Sequence, residues 1–355
     1  MKKHIFLFVF TLYFCLVNNA NAVDYSFEYS GASDFSFAYN NDEVLKERNL
    51  SYIETKNQLD FGSYQVSAHL DFEAGYGLSK DFLDNDDWGT DLYLSLISDD
   101  YGELYLGEVL NVGAMLSVSA PDIGVMKIEN SSLVDFIDNP NQINKDGNIK
   151  FSTLNAAYLN ADGRAEKITY ISPEISGFTY GFSYMENYHD KKGYSYILND
   201  NQTGEGKVFA LSYYKDFGKY ELTTSVAYGL YDDDNDMSFG INLQKGNLTL
   251  GAAYRKTYID GAMAIQDQAY REANIYNIGA SYSFGPAAVS LSYQESQSAN
   301  YRNQDKTLLA SAKYTFNKYI DNYVSIAHAD YEGDDDAKIN NNDGYAVITG
   351  IKVRF

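Results

Sequence analysis

The chain has 355 residues and carries 49 Asp and Glu against 27 Lys and Arg, a net charge of −22. That balance excludes a nucleic-acid partner, whose phosphates need basic surface, and an aromatic content of 15% excludes an acidic disordered chain. The mean hydropathy of −0.37 reads as polar, yet a barrel with one lipid face and one wet face averages to a similar value.

Lys2 and Lys3 precede an apolar run from Ile5 to Val17, and Ala20-Asn21-Ala22 fits a small-residue cleavage site. Residues 1–22 therefore read as a cleaved export signal, with 23–355 as a single barrel domain. The run is shorter than the ~20 residues a spanning helix needs. Cys15, the only cysteine, lies inside it. Disulfides, thiol catalysis and cysteine-based metal sites are thereby excluded from the mature chain.

Beyond Val23 the pattern alternates with period two. The first strand, 24–39, is interrupted at Gly31 and Ser33, where a bulge is expected. In 50–61, Glu54, Lys56, Gln58 and Asp60 oppose Ile53, Leu59 and Phe61. In 64–75, Gln65, Ser67, His69, Asp71 and Glu73 oppose Val66, Ala68, Leu70 and Phe72. Further strands are expected at 90–98, 102–109, 164–171, 178–185, 207–214, 220–230, 237–243, 248–255, 275–284, 288–293, 307–316 and 323–330. The last, 345–355, sets Tyr345, Val347, Thr349, Ile351, Val353 and Phe355 against Ala346, Ile348, Gly350, Lys352 and Arg354.

That makes sixteen strands in an all-β, transmembrane antiparallel β-barrel. Tyr345 and Phe355 are separated by about 26 Å at ~3.4 Å per residue and ~40° of tilt, the height of an outer-membrane apolar band. A charge on the lipid face costs ~2–4 kcal/mol at mid-membrane, and the charges in the cleanest strands share one parity. Short turns follow every second strand, such as Gly62-Ser63 and Gly285-Pro286-Ala287, while polar connections such as 76–89 and 186–206 are long. Short periplasmic turns and long extracellular loops have this layout.

Residues 110–163 break the rhythm, because a connection that long has a job of its own. Around it lie residues that resemble the Gram-negative general diffusion porins. Tyr101-Gly102-Glu103-Leu104-Tyr105-Leu106-Gly107 is similar to the family's strand before its third loop. Pro121-Asp122-Ile123-Gly124 resembles the loop's P-E-F-G-G, and Ile168-Thr169-Tyr170-Ile171-Ser172-Pro173 with Gly177-Phe178 resembles the strand pair after it. The terminal Phe355 also matches.

The resemblance implies that 110–163 folds into the barrel and narrows the pore. Asp122 takes the position of the family's loop glutamate, with Glu129, Asp135 and Asp138 as further loop acids. It also implies a homotrimer latched by the loop 76–89, contact with lipopolysaccharide and outer-membrane lipid, and Phe355 as the signal read by the barrel-assembly machinery. The family sets several arginines on the facing wall; here the bases of the inward parity are Lys56 and His69, with Lys167 further off and Arg48 in the first loop. The wall of the lumen is expected to hold Glu54, Lys56, Asp60, His69 and Asp71.

Each feature has a plainer reading. The inward charges solvate a wet lumen. His69 with Asp71, and His328 with Asp330, share faces at i, i+2, a spacing that suits acid–base chemistry but also wall hydrogen bonds. The acidic runs 84–87, 232–236 and 334–336 serve as solvated loop tips or hold divalent ions; Met237 and Leu243 spoil the EF-hand spacing. No cofactor or metal is expected. Three functions are open: a passive, cation-preferring channel for ions and small hydrophilic solutes, a substrate-specific porin, and a barrel protease. Inward positions rich in Ser, Thr, Gly and Asn argue against both a track of rings for sugars and a basic ladder for anions.

Overall fold

The computed structural model describes residues 24–40, 45–77, 89–124, 128, 133, 136–137, 156–160, 165–188, 204–232, 234–258, 272–298, 304–333 and 341–355. The leader 1–22, most of 76–89, and Glu129, Asp135 and Asp138 lie outside these residues.

Sixteen strands form one closed barrel in which every strand pairs with its sequence neighbours and β1 pairs with β16. They are β1 Asp24–Asn40, β2 Leu45–Asp60, β3 Gln65–Gly77, β4 Gly89–Ser98, β5 Gly102–Glu108, β6 Glu166–Ile171, β7 Phe178–Met185 and β8 Gly206–Asp216. There follow β9 Glu221–Tyr231, β10 Asp234–Lys245, β11 Leu248–Tyr258, β12 Glu272–Phe284, β13 Ala287–Ser298, β14 Gln304–Asn317, β15 Ile320–Glu332 and β16 Asn342–Arg354. The β1–β16 seam is antiparallel, as an even strand count requires. Closure leaves no free edge, which is the condition for a sheet to survive in lipid.

The alternation separates two environments. On β12, Ile278 is 58% exposed on the outer surface and Asn277 is 1% exposed on the inner one. The turn end carries outward rings, among them Tyr101, Phe217, Tyr319 and Phe355. Glu295 is an outward carboxylate, at the loop end of β13. It accepts from the hydroxyls of Tyr276 and Tyr293 and the amide of Gln304.

Two expectations are corrected. β1 has no bulge: its register runs unbroken from Asp24↔Asp60 to Tyr39↔Leu45, and from Ala32↔Arg354 to Asn40↔Ala346. Gly31 keeps its outward place, and the missing side chain leaves room for the Phe355 ring. Ser33 shares a 2.9 Å hydrogen bond with Ser51 across the pair. The register shift lies instead between Thr315 and Asn317. Several strands also outrun their apolar pattern. β2 begins at Leu45, so Arg48 stands in a strand opposite Ser36 and Gly77, not in a loop.

Apolar side chains also pack inside the barrel. Ile128, Leu133, Phe136 and Ile137 join Leu309, Tyr331 and Ile348. Val112 and Leu159 join Met185, Tyr188, Val208 and Tyr231, and Ala157 joins Ala253, Ala273 and Ile275. The connection after β5 thus packs on the inner wall, and Tyr188, just beyond β7, packs on Tyr231.

Candidate functional site: the barrel lumen

The connection after β5 begins with a short helix, α1 (Val112–Met115), capped by the Asn111 side chain, which accepts from Ala114 N–H at 2.9 Å. It then runs extended. Such a backbone, pressed against a wall, must find acceptors for its N–H groups. Val112 N–H donates to Ser183 on β7 at 2.8 Å, and Val118 N–H to Ser225 on β9 at 2.9 Å. Ala120 N–H donates to Asn277 on β12 at 3.1 Å, and Ile123 N–H to Ser290 on β13 at 3.3 Å. All four acceptors are buried on the inner face. Glycines make the bed. A β-carbon on Gly181 would collide with Val112, and one on Gly240 with the Val118 carbonyl. Pro121 lies against Gly251, and Ala120 against Gly279.

Asp122 is half-buried in this stretch. Its carboxylate accepts from Gly124 N–H at 3.0 Å and Ile128 N–H at 2.8 Å, so it shapes the turn in which it stands.

The wall residues read from the sequence separate into groups. Glu54, Asp71 and Asp91 are in register across β2, β3 and β4, an inward row of carboxylates. Lys56 and His69 are directly paired one step nearer the turns. The His69 ring stacks on Tyr93 at 4.4 Å, its Nε2 is 3.0 Å from Ser95 Oγ, and its Nδ1 is 3.6 Å from Glu54. Its close polar partners are therefore Ser95 and Glu54. Asp60 sits at the turn end, accepting from Gly62 N–H and the Gln65 amide. Lys167 is buried and donates to the Val109 carbonyl at the root of the long connection. His328 and Asp330 alternate with the inward Ala327 and Ala329, so they share the outer face with Val324 and Ile326. Asp232 accepts from Glu205 N–H and Asp236 is paired with Arg255, so both have work within the protein.

Sequence reasoning missed three groups. Arg255 is inward and buried among small residues of β11, and its loop partners are 95 and 99 residues away. Lys352 and Arg354 have the inward parity written in the last strand. With Lys313 they form a basic patch near the turn end of β14–β16, where Arg354 pairs with Asp321. Tyr93 and Tyr105, with ring centroids 6.3 Å apart, extend the His69 stack along β4 and β5. The lumen therefore has a patch of three rings.

A family model described as Gram-negative porin matches residues 9–334. No curated protein matches the chain. Among solved structures, the anion-selective porin from Comamonas acidovorans is 18% identical with a TM-score of 0.62, covering 94% of this chain and 100% of its own. OmpF of Salmonella typhi, in complex with daunomycin, is 14% identical with a TM-score of 0.63 over 93% and 97%. OmpT of Vibrio cholerae, an outer membrane protein in its trimer form, is 10% identical with a TM-score of 0.60 over 93% and 99%.

Proposed function

The chain belongs to the Gram-negative porin family and is an outer-membrane diffusion channel, and from that premise we propose that residues 110–163 narrow its lumen and that the pore prefers cations. The narrowing is supported by one observation above all: four backbone N–H groups between Val112 and Ile123 are bonded to inward side chains of the wall. In this reading Asp122, Glu129, Asp135 and Asp138 supply the charge of the loop. Glu54, Lys56, Asp60, His69 and Asp71 line the water path.

The cation preference is supported by the row Glu54, Asp71 and Asp91. Like charges in register repel, and a passing cation relieves that repulsion. One base that could oppose it is neutralised in place, Arg255 by Asp236, and Lys167 is buried at the root of the long connection. Lys313, Lys352 and Arg354 favour anions, but near the turn end and beside Asp321.

The protein is a channel without catalytic function in this reading, since the pair His328 and Asp330 faces outward. Three copies assemble. The outer face of β1–β2 supports this, because Ser33, Ser51, Thr55 and Asn57 would put polar groups against lipid, where a partner covers them better. Elsewhere the outer face meets lipid and lipopolysaccharide. The leader 1–22 exports the chain, and Phe355 is read by the assembly machinery.

Planar-bilayer reversal potentials in an about tenfold KCl gradient test the preference; a potential of the anion-selective sign refutes it. Deleting roughly 115–140 tests the narrowing; unchanged conductance refutes it.

A further inference from the structure

Arg255 heads the largest fully buried side chains among the described residues, at 2% exposure. A guanidinium out of water is costly unless its donors are met. Here they are met from two sides. Nε lies 2.9 and 3.0 Å from the two carboxylate oxygens of Asp236 on β10, and Nη2 lies 2.6 Å from one of them. Nη1 reaches the other way, to the Ala156 carbonyl at 3.2 Å and to Asn160 Oδ1 at 2.6 Å. One side chain thus joins the barrel wall to residues 156–160, the return leg of the long connection. Ala157 packs between Ala253, Ala273 and Ile275 beside it. The Leu159 carbonyl accepts from Asn111 Nδ2 at 3.0 Å, so the return leg is also tied to the start of the segment.

The surrounding ladder does not need this group. β10 and β11 pair without interruption from Asn235↔Tyr258 to Lys245↔Leu248. Arg255 also adds little field to the water path, because Asp236 neutralises it in place. What Arg255 supplies is a pair of hydrogen bonds from the wall to the return leg.

We infer that Arg255 is a positioning residue that clamps the return leg of the long segment to β10–β11, with Asp236 holding the guanidinium and Asn160 receiving it. The clamp itself stands on the contacts above; its effect on current rests on the narrowing reading of the previous subsection.

The test places a reporter where the leg is buried. Cys15 is the only native cysteine and lies in the expected leader, so Ala157→Cys gives a single thiol in the barrel. Ala157 is 3% exposed, and a maleimide reaches such a thiol only when the leg lifts, at a rate set by the population of the lifted state. Asn160→Ala removes one of the two receivers and leaves the Ala156 carbonyl bond, with Arg255 and Asp236 still paired, so it leaves barrel folding intact. Arg255→Met with Asp236→Asn removes both charges together. In both backgrounds labelling of the folded protein speeds up by about tenfold or more, the change expected for losing hydrogen bonds to a charged group. Asn160→Asp keeps an acceptor and labels as slowly as the parent. In bilayers the fast-labelling variants show more frequent transient closures, with the reversal potential unchanged. Labelling of the Arg255→Met, Asp236→Asn variant at the parent rate overturns the clamp. Fast labelling with a steady, parent-like current keeps the clamp and overturns the narrowing reading instead.

Discussion

The ring of Phe355 lies over Gly31, so that a β-carbon on residue 31 would stand 2.6 Å from the ring's Cζ. The two backbones also exchange hydrogen bonds, Gly31 N–H to the Phe355 carbonyl at 3.2 Å and Phe355 N–H to the Gly31 carbonyl at 3.1 Å. The last residue of the chain is therefore part of the seam that closes the barrel. Gly31→Val should reduce the yield of folded, heat-modifiable barrel, since overpacking costs ~1–3 kcal/mol. Adding Phe355→Ala should recover part of that loss if the fault is steric. A Gly31→Val protein with parent yield would show that the Phe355 ring and the Tyr52 carbonyl, also 2.6 Å from such a β-carbon, both give way freely.

Gly240→Ala acts inside the barrel in the same way. The new methyl would meet the Val118 carbonyl, and the segment must leave the wall locally. Single-channel conductance should change while thermal stability of the barrel falls by no more than the ~1–3 kcal/mol of overpacking. An unaltered current would mean that the segment yields without consequence for the pore.

Glu54→Gln, Asp71→Asn and Asp91→Asn should each lower the permeability of K⁺ relative to Cl⁻, and Lys56→Gln should raise it. The effects should shrink as salt rises, because the screening length is ~10 Å at 0.1 M and ~3 Å at 1 M. Reversal potentials at two ionic strengths read both trends. A triple variant that keeps the parent ratio would remove the row from the selectivity site.

Asp122→Asn makes a different kind of change. The carboxylate is bonded to Gly124 and Ile128 N–H groups, so replacing one oxygen with a donor breaks a turn bond as well as removing a charge. The shift in reversal potential should be smaller than that of Glu54→Gln, and current fluctuations should increase. A larger shift than Glu54→Gln would put Asp122 ahead of the wall in setting selectivity.

The barrel was legible because lipid penalises errors of parity at every second residue. Beyond the apolar band that penalty fades, and there the pattern lost the strand ends: β2 starts at Leu45, β10 at Asp234 and β12 at Glu272. Gly31 looked like a fault in β1 because its explanation, Phe355, sits at the other end of the chain. Glu54 and Asp71 could be placed on the lumen side from alternation alone. The pairing of Arg255 with Asn160 could not, since no local period links a strand residue to a loop residue 95 positions away.

The anchors of the long segment also constrain the order in which the pore is completed. Their acceptors lie 71, 107, 157 and 167 residues further along the chain, on β7, β9, β12 and β13. The acceptor strands follow one another in that order along the sequence and around the barrel. Once Val112 has met Ser183, each later bond closes a smaller additional loop than it would from an undocked segment, and loop closure is costlier the longer the loop. The segment can therefore dock like a zip, one strand at a time. The first two bonds need strands no later than β9, while the last needs β13.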